Sequence, residues 1–202
     1  MTAKPFAPAP ERNAAPILDV LREEFANRTR ILEIGSGTGQ HAVRFGAELR
    51  HLTWQTSDLE RNHPGIRAWI DDAGLDNVLE PLTIDVLDAE LTPASYDGVF
   101  SANTAHIMCL EAVEGMFELV GQALTKGGVF CLYGPFREHG VFDTESNAAF
   151  DRALRHQDPD MGIRDLEALD AFGAEHGLSR VRNYAMPANN RVAVWERGGR
   201  NA

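Results

Sequence analysis

Glu33 and three glycines, Gly35, Gly37 and Gly39, fall within seven residues in the run Arg30-Ile-Leu-Glu-Ile-Gly-Ser-Gly-Thr-Gly39. A carboxylate beside a glycine-dense loop can hold a polar ligand group. The acid supplies charge, and residues without Cβ let the backbone turn sharply and press against the ligand. A loop fed by an apolar strand and opening a helix is expected to aim unpaired N–H groups at what lies above the strand end. Two ligand chemistries fail on spacing. The dinucleotide fingerprint G-x-G-x-x-G requires its third glycine where this chain has Gln40. The phosphate loop G-x-x-x-x-G-K-[ST] requires a lysine, and none follows these glycines.

Other chemical groups fall at strand ends, where ligands gather in open α/β sheets. Asp58 closes the segment Thr53–Asp58, 19 residues after Gly39. A carboxylate there can accept from both hydroxyls of a ribose; the plainer alternative is a helix cap or loop acid. Asp85 and Val86 follow a third strand, with a solvent-facing loop aspartate as the alternative. After a fourth comes Ser101-Ala-Asn103-Thr-Ala-His106. The His106 imidazole can take a proton at neutral pH and is the candidate catalytic base; the alternative is a capping or packing residue. Tyr133, Phe136 and Arg137, and further on Asn189 and Asn190, are candidates for an acceptor side. Pro187–Asn190 is equally readable as a β-turn, since Asn tolerates left-handed backbone angles. No H-x-x-x-H pair or G-x-S-x-G elbow occurs, so neither a metal site nor a serine hydrolase is expected.

The elements that must position these residues alternate along the chain. A helix with Ile17, Leu18, Leu21 and Phe25 on one face is expected over 11–25, a strand over 30–34 and a helix over 40–49. Strand 53–58, helix 64–74, strand 82–85, strand 96–102 and a helix to about Leu124 come next. A turn at Lys126–Gly128 leads to strand 129–133; helix 165–176, which Gly177 stops, and closing strands 180–184 and 191–196 end the pattern. Residues 134–165 interrupt the rhythm with a polar, lid-like insertion. The alternation predicts an α/β fold with a doubly wound, mostly parallel sheet. Residues 1–10, rich in Pro and Ala, read as a flexible leader, and 11–202 as a single domain.

Composition sets the partners. A net charge of −11 disfavours a general nucleic-acid binder, because phosphate backbones reward clustered Lys and Arg. No run of about 18 apolar residues suggests a membrane span, and no targeting segment is expected. Two cysteines, Cys109 and Cys131, cannot build a disulfide framework. A cytoplasmic location is the expectation.

The acid followed by G-x-G-x-G resembles motif I of the class I S-adenosylmethionine (SAM) dependent methyltransferases. That resemblance implies a loop, Ser36 included, wrapped around the amino-acid end of SAM, with Glu33 contacting its ammonium directly or through water. It also implies Asp58 on the ribose, Asp85 and the Val86 N–H on the adenine, and Asn103 near both SAM and acceptor. The chemistry agrees: SAM has no phosphate, and a carboxylate attracts an ammonium while repelling a pyrophosphate. The ordered peptides Ala9-Pro-Glu-Arg-Asn13, Asn103-Thr-Ala-His106, Tyr133-Gly-Pro-Phe136, Asp143-Thr-Glu-Ser-Asn147, Met161-Gly-Ile-Arg-Asp165 and Met186-Pro-Ala-Asn-Asn190 resemble the methyltransferase-like protein 26 family, over nearly the whole chain. That likeness implies a Rossmann-like sheet of seven strands with the last antiparallel, helices on both faces, and Glu11, Arg12 and Asn13 closing over cofactor or acceptor. Methyl transfer to a small molecule is the leading expectation. An NAD(P)-linked oxidoreductase, and a SAM-binding module without transfer, are the alternatives.

Overall fold

The computed structural model describes residues 4–198. Parallel strands β1 (Arg30–Ile34), β2 (Thr53–Asp58), β3 (Val78–Thr83), β4 (Tyr96–Ala102) and β5 (Leu124–Gly134) join β8 (Leu178–Met186) and β9 (Asn190–Arg197) in a seven-stranded sheet. The order is β3-β2-β1-β4-β5-β9-β8. As expected, the last strand in the chain is antiparallel: β9 runs against both neighbours, β5 and β8. From β1 the chain fills one side with β2 and β3, then crosses to β4. The crevice over the carboxyl ends of β1 and β4 is therefore the topological switch point, the natural ligand position in such a sheet.

Successive strand residues point to opposite faces, and here both faces are covered. Ile31, Trp54, Phe100, Val129 and Cys131 pack beneath α1 (Pro8–Glu24), α2 (Gln40–Glu48) and α3 (His63–Ala73). Leu32, Ile34, Val99, Phe130 and Leu132 pack against α4 (Leu110–Ala123) and α6 (Leu166–Glu175). That double burial is why the central strands read as continuous apolar runs.

Several boundaries differ from expectation; β5, for one, already starts at Leu124, through the expected turn at Lys126–Gly128. Helix α1 begins at Pro8, so the extended leader ends at Ala7 among the described residues. Prolines suit a helix's first turn, because their fixed φ is helical and their missing N–H would have no partner there. Strand β3 stops at Thr83, leaving Asp85 two residues beyond it. Residues 134–165 hold β6 (Phe136–Arg137), α5 (Glu145–Gln157) and β7 (Arg164–Asp165), with β6 and β7 paired in parallel. Helix α5 has few core positions to give it a legible period, but Thr144 caps it by accepting from the Asn147 N–H at 3.2 Å.

Candidate functional site

The three glycines adopt left-handed angles, φ +74° at Gly35, +60° at Gly37 and +90° at Gly39. A Cβ at Gly35 would lie 2.7 Å from the Thr104 methyl, and one at Gly39 3.1 Å from Ile66 Cα, so the loop is wedged between the β4 turn and α3. Its N–H groups do not point outward as expected. Those of Gly35 and Ser36 donate to the Ser57 carbonyl at 3.1 and 2.9 Å, and that of Gly39 to the Ser36 carbonyl at 2.9 Å. The Gly37 N–H donates to Asp58 Oδ2 at 2.7 Å. The neighbouring strand thus satisfies most of the loop's donors.

Glu33, the penultimate residue of β1, is buried beneath that loop. Its Oε2 accepts from Ser36 Oγ at 2.8 Å and from the Trp54 indole N–H at 3.1 Å. Burial raises its pKa to about 7, the Trp54 and Ser36 hydrogen bonds pull downward, and the Asp58 charge pushes upward. Asp58 ends β2, where Oδ1 also accepts from the Leu59 N–H and the Asn62 amide, both at 2.7 Å. With Gly35, Gly37, Asp85, Val86 and Asn103, Asp58 lines a cavity of about 410 Å³ above the strand ends. Asp85 also holds its own turn, accepting from the Leu87 N–H at 3.2 Å. Asn103 sits at φ +61°, an angle Asn tolerates, with its N–H on the Tyr133 carbonyl at 2.9 Å.

A second cavity, about 530 Å³, shares Gly35, Gly37 and Asn103 with the first and runs under Pro5, Ala7, Ala9 and Pro10. His41 forms part of its wall. The His41 Nε2–H donates to Asn13 Oδ1 at 2.7 Å, and burial lowers the imidazole pKa to about 4. Burial pushes the Tyr133 phenol above its usual range, against the pull of its hydrogen bond with the Asn13 side chain. Asn13 thus ties α1 to α2.

A family model described as "protein of unknown function (DUF938)" matches residues 4–197. The chain belongs to the DUF938 family. Solved structures share the fold of this DUF938 chain. An O-methyltransferase family protein from Burkholderia thailandensis has a TM-score of 0.80 at 16% identity, over 93% of this chain and 57% of that one. Mitomycin 7-O-methyltransferase MmcR gives 0.82 at 16% identity, over 94% and 54%. PigF, in a structure with SAH, gives 0.76 at 17% identity, over 94% and 63%. The DUF938 chain thus spans 54 to 63% of the length of these proteins. The likeness establishes the fold alone, the Rossmann-like seven-stranded sheet that this chain shares with these proteins.

The remaining sequence candidates of the DUF938 chain fall outside the two cavities or at their edges. His106 is 7% exposed behind the cavity wall, its ring edge-on to Phe150 at 5.5 Å. Burial and then the Arg164 guanidinium lower its pKa to about 4, which makes it a weak base at neutral pH. Phe136 is buried in the core on the α4 face. Arg137 pairs with Asp165 at 3.3 Å and lies 5.7 Å from the Phe142 ring centre. Asn189 accepts from the Asn147 amide at 3.0 Å through its carbonyl, and the Asn190 amide donates to the Pro187 carbonyl at 3.2 Å, so these two build a turn against α5. Arg12 is exposed on the first turns of α1. Among the described residues, no group of three or more His, Cys, Asp or Glu is placed to hold a metal, and no helix is long and apolar enough to cross a membrane.

Arg61, Asn62, Ile107 and Met108 also line the first cavity, and sequence reading missed them. Met108 and Ile107 belong to a turn that Arg164 holds from behind. Arg164 is 9% exposed and donates to the carbonyls of Ala105, at 2.9 Å, Asp160, at 2.8 Å, and Met108. Arg164→Met strips the donor from three carbonyls at once. It is expected to cost about 3 kcal/mol and to lower Tm by roughly 6–12 °C, measured by thermal unfolding.

Proposed function

We propose that the chain is a methyltransferase that binds SAM over the carboxyl ends of β1 to β4 and serves a small-molecule acceptor. The observation that carries this reading is a buried carboxylate, Glu33, under a glycine loop most of whose own N–H groups are taken up within the protein. Such a site gives a cation a negative partner and gives a pyrophosphate few donors. SAM, cationic and free of phosphate, fits that donor set; when bound it supplies a methyl group on a positively charged sulfur, transferable in line to a nucleophile.

In this reading Glu33, buried beneath the loop, holds the ammonium directly or through water, and Asp58 uses the free lone pair of its Oδ2 on a ribose hydroxyl. Asp85 and the Val86 N–H meet the adenine, while Gly35, Ser36, Gly37 and Asn103 shape the amino-acid end. Gly39 lets α2 start against α3. The chain's own contribution is alignment and exclusion of water, and positioning alone can lower a barrier by roughly 7–11 kcal/mol. Arg12, Asn13 and Tyr133, at or beside the second cavity, are the residues we place nearest the acceptor. The net charge of −11 favours a small acceptor over an anionic polymer. The finer likeness, to the methyltransferase-like protein 26 family, and a cytoplasmic setting belong to the same reading. Asp58→Ala removes a charged hydroxyl acceptor and frees the Gly37 N–H, so S-adenosylhomocysteine (SAH) affinity is expected to fall roughly 10–100-fold. Calorimetric titration measures it; an unchanged affinity would count against the assigned ribose site.

A further inference from the structure

We infer that Gln40 is a positioning residue, whose side chain latches the N-terminal segment across the mouth of the site so that the methyl donor enters and leaves only when the latch opens. The inference rests on the SAM reading above for the identity of the ligand. Gln40 stands where a dinucleotide site would have its third glycine, and its side chain has a use of its own. It is 6% exposed, at the first residue of α2. Its Oε1 accepts from the Ala7 N–H at 2.6 Å, and its Nε2 donates to the Ala7 carbonyl at 3.2 Å. This two-point pairing fixes both the place and the direction of the segment, as one rung of a β-ladder would. Thr38 Oγ1 donates to the same Oε1 at 3.0 Å, tying the latch to the glycine loop itself.

The rest of the segment is held at its outer edge. The Trp69 indole N–H donates to the Pro5 carbonyl at 2.6 Å. Lys4 pairs with Asp72, and its ammonium lies 4.0 Å from the centre of the Trp69 ring. Pro5 Cγ comes within 2.7 Å of where a Cβ on Gly65 would stand, so this approach requires glycine there. Phe6 points outward at 62% exposure and anchors nothing. The segment is thus fastened by polar contacts near solvent rather than by buried apolar surface, the kind of element that opens locally while the fold stays intact. Pro5 and Ala7 roof the second cavity, whose floor is the glycine loop, and Gly35 and Gly37 line both cavities.

Trp69 makes the latch observable, because Trp54 and Trp195 are fully buried and Trp69 lies under the segment. The test is stopped-flow binding of SAH together with acrylamide quenching of tryptophan fluorescence, in the wild type, Gln40→Ala and Gly65→Ala. Gly65→Ala lifts Pro5 without touching the glycine loop. Both variants are expected to speed SAH association and dissociation about tenfold and to raise quenching in the free protein, with SAH binding reducing it again. SAH rates within twofold of wild type in both variants, with unchanged quenching, would overturn the latch and leave the SAM reading standing. A wild-type chain that binds no SAH would overturn both.

Discussion

Between pH 5.5 and 7 the affinity for SAH is expected to rise about tenfold per pH unit, and to level off above pH 7. The cause is Glu33. In the free protein burial holds its pKa at about 7, so below that pH the site carries a neutral acid under the loop. An ammonium placed against it favours the ionised form, and binding then releases a proton. Glu33→Gln keeps the shape and an oxygen for Ser36 and Trp54 but removes the charge. It is expected to flatten the pH dependence and to weaken SAH at pH 8 by roughly 10–100-fold, the worth of a hydrogen bond to a charged group. Calorimetry across pH, in buffers of different ionisation heat, reads affinity and proton release together. A binding constant that is flat or falls as pH rises would remove Glu33 from the cation's side.

The same acid should make the protein less stable than it need be. The folded pKa of Glu33 lies above its usual 4.5, so the folded state keeps a proton that the unfolded chain releases, and stability is lost as pH rises through 7. At roughly 1.4 kcal/mol per pH unit, the rise from 4.5 to about 7 corresponds to about 3 kcal/mol at pH 8, and Glu33→Gln is expected to recover most of it. His41 and His106 act in the opposite direction. Each is lowered from 6.5 to about 4, so its contribution is present above 6.5 and lost as pH falls towards 4, about 3 kcal/mol apiece. Between pH 6 and 5 the unfolded chain carries two protons on these histidines while the folded protein keeps one on Glu33. Stability should therefore fall by about 1.4 kcal/mol per pH unit in the wild type and about twice as steeply in Glu33→Gln. Urea midpoints at pH 8, 6 and 5 measure both slopes. A Glu33→Gln protein less stable than wild type at pH 8 would mean that the buried charge is no burden.

That stability is forgone at one residue to place charge under the loop is the kind of conflict that marks functional sites. It also shows what local sequence conveys. The strand-glycine-helix junction was legible because the apolar run, the acid and the glycines are contiguous, and the parallel sheet because strands buried on both faces read as apolar runs. Asp58 and Asp85 were legible as strand-end acids for the same topological reason: parallel strands bring their carboxyl ends to one edge. The direction of the loop's N–H groups was not legible. It depends on the Ser57 carbonyl and the Asp58 carboxylate, which only the folded sheet brings to the loop. Nor was α5, whose stability comes from its Thr144 cap and from Asp151, which accepts from the Ile163 N–H at 2.7 Å, rather than from an apolar stripe. Pro8 and Pro10 read as extended chain because proline breaks helices inside and starts them at the end; only position decides between the two.

The central claim is that the site under the glycine loop takes a phosphate-free cationic nucleoside rather than a dinucleotide. Parallel calorimetric titrations of the wild-type chain with SAM, SAH, NAD and NADP at pH 8 test it most directly. Micromolar binding of SAM and SAH, with no measurable heat from NAD or NADP, is the expected result. Binding of NAD or NADP with silence from SAM and SAH would contradict it.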